Sequence, residues 1–148
     1  MNQKRLSVKH LSTENNLKFK FIWLGQTILK YQVPLDIFIT INKIYENNFK
    51  DMPDAHKQLV GKIGKENSLF YGGAPNNKMH KHNMLPPYVL NWFESVFKHY
   101  LEFNKISPYK LSLNSIWINE MKAGEYNPIH IHQGTIYTGL SSVMMLKL

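Results

Sequence analysis

The residues of this chain best suited to chemistry are two histidines one residue apart, His130 and His132, in the stretch YNPIHIHQG. On an extended strand, residues i and i+2 share a face. The two imidazoles would then project together while Ile129 and Ile131 face the opposite layer. Neutral imidazoles held side by side on a rigid strand suit iron, zinc, copper, nickel or manganese. Gly124 lets the chain turn ahead of them, and Pro128 restricts the backbone leading into the strand. Solvated strand faces carry the same spacing, and this chain has a second copy of it. His80 and His82, in NNKMHKHNML, fall in a polar, lysine-bearing stretch that reads as surface loop. Spacing alone leaves a metal pair and a solvated pair both open.

The elements that must position these histidines follow from periodicity. FIWLGQTILKYQV is rich in β-branched and aromatic residues and predicts one or two short strands. After Pro34, the apolar positions Leu35, Phe38, Ile39, Ile41, Ile44, Tyr45 and Phe49 have helical spacing. PDAHKQLVGKI, residues 53–63, predicts a second helix, and residues 64–83 read as a long polar loop broken at YGGAPNN. LPPYVLNWFESVFKHYLEFN is the strongest helix signal. Val89, Trp92, Phe93, Val96, Phe97, Tyr100 and Leu101 make one apolar side suited to core packing. Beyond Pro108 the texture alternates. YKLSLNSIWINEMK, a turn at AGEYNP, then IHIH and YTGLSSVMMLKL predict a run of strands. The fold class expected is α+β in a single domain over 1–148, with helical support from 20 to 105 and strands from 109 to 148. Three or four strands are too few to close a sandwich or barrel, so an incomplete fold is expected.

Composition excludes several classes. With no cysteine, disulfides, thiolate zinc sites and cysteine nucleophiles are ruled out. Neither G-x-S-x-G nor G-x-x-x-x-G-K-[ST] occurs. No apolar run follows the basic start MNQKRLSVKH, and no stretch is long and apolar enough to span a bilayer; a cytoplasmic location is expected. The formal net charge is +8, yet Arg5 is the only arginine among eighteen basic residues. Arginine is the side chain for bidentate recognition of phosphates and bases. The lysines are scattered, so the charge reads as a solvated surface and not as a nucleic-acid footprint.

The segment SIWINEMKAGEYNPIHIHQGTIYTGLSSVMMLKL resembles the iron-ligand region of a 2-oxoglutarate- and Fe(II)-dependent oxygenase family common among phages and marine bacteria. The features in common are a Trp-bearing strand with Trp117 and Asn119, Gly124, YNPIHIH and the LSSVMMLKL strand. The helix LPPYVLNWFESVFKHYL resembles the one preceding this region in such proteins. The resemblance runs over about residues 25 to 148 and is firmest after 109. It implies a double-stranded β-helix, or jelly roll, with N-terminal helices on one outer face, broken off before the barrel closes. It implies Fe(II) and 2-oxoglutarate as cofactor and cosubstrate, dioxygen as co-reactant, and hydroxylation of an unidentified substrate. His130 matches the first metal ligand. His132 stands where better-known members carry a carboxylate, and an imidazole there leaves the metal centre more positive. Asn119 could face the cavity and hydrogen-bond the cosubstrate, and Tyr137 could do likewise, with a structural role as the alternative for each. The distal histidine and the basic partner of 2-oxoglutarate are expected on strands after Leu148.

Two other readings rest on the same residues. Gly124, His130 and His132 reproduce the opening of the first cupin motif, but Ile136 and Tyr137 stand where that motif needs a glutamate. The second alternative is a non-catalytic remnant or interaction module that presents a lysine-rich surface to an acidic partner.

Overall fold

A computed structural model describes residues 19–23, 27–54, 61–73, 80–128 and 139–146. Over these residues the chain is α+β, with two helices, a two-stranded hairpin and a three-stranded antiparallel sheet. The hairpin pairs β1 (Phe19–Trp23) with β2 (Thr27–Tyr31), from Phe19 opposite Tyr31 to Trp23 opposite Thr27. Along β2, burial alternates with the strand period, so Thr27, Leu29 and Tyr31 turn inward.

Pro34 presets its φ for a helix start, and α1 (Leu35–Asn48) follows with Phe38 N–H bonded to the Pro34 carbonyl at 3.0 Å. The helix is the one expected, but its phase differs. Ile37 and Ile41 are buried, whereas Leu35 is 72% exposed. Isoleucines at 37, 39, 41 and 44 offer apolar stripes on more than one side, and packing selects one of them. α2 (Pro87–Phe103) has Pro87 in its first turn and buries Val89, Phe93, Val96 and Leu101, the side the sequence marked. It ends in a Schellman arrangement. Ile106 N–H reaches the Leu101 carbonyl at 3.0 Å, and Lys105 N–H reaches that of Glu102 at 2.9 Å. Lys105 occupies the left-handed position there, with φ 55°.

Residues 64–83 are not a loop throughout. β3 (Lys65–Tyr71) is the central strand of the larger sheet, flanked by β4 (His82–Asn83) and β5 (Ser115–Glu120). Its polar first half hid it: Asn67 and Ser68 are buried but hydrogen-bonded to other parts of the chain. The predicted helix 53–63 is not supported at either described end. Asp54 bridges Asn67, and Lys62 bridges Tyr126; residues 55–60 lie outside the described set. Within the predicted strand run, 109–114 and 139–146 form no ladder, and 129–138 fall outside the described residues.

The pairing of β3 with β5 steps from Ser68–Trp117 to Phe70–Ile116, so Leu69 is the extra residue of a β-bulge. The bulge aims both Leu69 and Phe70 at the helices. Leu69, fully buried, joins Ile37, Ile41, Met52, Leu85, Val89 and Phe93 in one cluster, against which Ile116, Ile118, Met144 and Leu146 also pack. Strand alternation then sends Ser68, Tyr71, Trp117 and Asn119 to the face turned away from the helices. No helix among the described residues is long and apolar enough to cross a membrane.

Two substitutions test this packing. A Cβ on Gly61 would lie 2.4 Å from the Tyr126 carbonyl oxygen and 2.7 Å from Pro128 Cδ. Gly61→Ala is expected to lower the unfolding free energy by about 2 kcal/mol in urea titration. Lys105→Gly relieves the left-handed strain and is expected to raise it by about 0.5 kcal/mol.

Candidate functional site

The backbone leading to the histidine pair is fixed by an array of contacts. β5 ends at Glu120, and Gly124 turns the chain with φ +82°, a conformation that favours glycine. The Glu125 carboxylate accepts the N–H of Lys122 at 2.8 Å and that of Gly64 at 3.2 Å, closing the turn onto the start of β3. Tyr126 N–H then bonds the Lys62 carbonyl at 2.8 Å. Pro128 follows, half-buried beside Gly61 and two residues ahead of His130. The AGEYNP turn read from sequence is therefore present, held by the residues just before β3.

His130, His132 and Tyr137 themselves lie outside the described residues. Asn119 is described. It sits opposite Glu66 in the β3–β5 ladder, on the face turned from the helices, and its Oδ1 is buried without a hydrogen-bond partner. A buried carbonyl oxygen left unpaired costs about 1–3 kcal/mol, so this atom calls for a donor from a water or a ligand. Among the described residues no group of three His, Asp or Glu side chains could hold a metal ion.

The second histidine pair is not uniformly surface. His80 is exposed, but His82 is half-buried in β4. A carbonyl can only accept, so His82 Nδ1–H donates to His80 O at 2.9 Å, which leaves Nε2 of the neutral ring as an acceptor. The Ser68 hydroxyl then donates its one proton to Nε2 at 3.0 Å, the shorter contact, and not to the Phe70 carbonyl at 3.5 Å. A hydroxyl beside a tautomer-fixed imidazole is the arrangement of a nucleophile and its base. Here Ser68 is 5% exposed in the central strand, and the pair ties the two-residue β4 to β3. The sequence signal for it was weak, because so short a strand leaves almost no periodicity.

Two further polar ties assemble the scaffold. Tyr31 Oη lies 2.8 Å from His99 Nδ1, and Tyr100 Oη donates to the Thr27 carbonyl at 3.2 Å, docking the hairpin on α2. The Phe19 ring meets that of His99 edge-on at 4.7 Å. Burial, then the neighbouring Tyr100, pushes the Tyr31 phenol up to about 12. On the far side, Tyr45 of α1 donates to Glu120 Oε2 at 2.9 Å. Burial, followed by that hydrogen bond and the charges of Glu120 and Asp54, pushes the Tyr45 phenol up to about 12 as well. Comparison with protein-family models, curated proteins and solved structures found no match.

The two phenols fix a sign for alkaline stability. Each holds its proton more tightly in the folded chain than the ordinary value of 10.0 allows. Their contribution is therefore present below about pH 10 and lost as pH rises through about 12. Absorbance titration of phenolate is expected to show two late-ionising tyrosines, with one removed in Tyr31→Phe and the other in Tyr45→Phe.

Proposed function

We propose that this protein is a 2-oxoglutarate- and Fe(II)-dependent dioxygenase that hydroxylates its substrate. In this reading β5 belongs to a jelly roll, with α1 and α2 packed on its outer face. The observation that carries the proposal is the His130-x-His132 pair, directly after a strand and a glycine turn in the order that the oxygenase resemblance requires. Two structural observations support it. The helices pack on one face of the β3–β5 sheet, and Asn119, whose Oδ1 is buried and unpaired, is on the other. Met144 and Leu146 pack against the same core as Ile116 and Ile118.

In this assignment His130 and His132 hold the metal through neutral imidazoles, so protons compete with the metal and acid weakens binding. The bound Fe(II) supplies oxidative decarboxylation of 2-oxoglutarate coupled to hydroxylation of a C–H bond. Asn119 would hydrogen-bond the cosubstrate through its carboxamide, and Tyr137 would contribute a phenol to the same task.

The test is 2-oxoglutarate consumption measured as succinate release, with and without added Fe(II). Consumption that depends on Fe(II) and falls at least about tenfold in His130→Ala is expected, a loss of about 1.4 kcal/mol or more in transition-state stabilisation. Full turnover by His130→Ala would overturn the assignment of that residue. Metal binding at His130 and His132 without any 2-oxoglutarate consumption would favour the cupin-like reading.

A further inference from the structure

We draw no further inference here: the strongest candidate, the segment 139–146 beside the helix–sheet core, where Val143 is 88% and Met145 64% exposed while Met144 and Leu146 pack inward, carries nothing because nothing in the structure shows what covers it.

Discussion

The β-bulge at Leu69 is the constraint on which the rest of the described fold depends. A regular strand would turn Leu69 and Phe70 to opposite faces. With one extra residue in β3, both turn toward the helices, and Leu69 becomes fully buried between α1, α2 and the sheet. The same extra residue sets the phase on either side of it. Asn67 stays on the helix face, where its amide bonds the Phe49 carbonyl at 3.3 Å and secures the end of α1. Ser68 and Tyr71 are left on the other face, beside Trp117 and His82. Without the bulge, a regular strand that kept Asn67 and Ser68 in place would turn Phe70 away from the helices and Tyr71 toward them.

That division of the sheet gives the two faces different chemistry. The helix face is apolar and closed by side chains from both helices. The opposite face carries hydroxyl, imidazole, indole and carboxamide groups, one of which, Asn119 Oδ1, is buried and unpaired. Asn67 Oδ1 and Trp92 Nε1 are buried and unpaired too, and Asn67 lies on the helix face. An orphaned atom is therefore not by itself the mark of a site. What distinguishes Asn119 is its place near the end of β5, the strand that leads in sequence to the Gly124 turn and the histidine pair.

The parts legible in the sequence were those with strong local periodicity. The apolar side of α2 was readable through Val89, Phe93, Val96 and Leu101, although Trp92, Phe97 and Tyr100 are only half-buried and the buried His99 was not marked. The Pro34 and Pro86–Pro87 starts agree with the observed helices. The phase of α1 was not readable, because its isoleucines fit several stripes and only tertiary packing separates Ile37 from Leu35. β3 was hidden for a different reason. Lys65, Glu66, Asn67 and Ser68 look like loop, and their strand state depends on partners about fifty residues away on β5. His82 looked like surface for the same reason, since its role requires Ser68, fourteen residues earlier. The glycine turn ahead of the histidines was legible because Gly124 must supply a positive φ. His130 and His132 themselves lie outside the described residues.

The central claim is that His130 and His132 bind Fe(II) together with 2-oxoglutarate. Its most direct test is an anaerobic Fe(II) titration of the protein in the presence of 2-oxoglutarate, following the visible charge-transfer absorption of the chelated cosubstrate. The account requires a saturable band that is absent without 2-oxoglutarate and lost in both His130→Ala and His132→Ala. A protein that develops no such band, or whose band survives both substitutions, would contradict it.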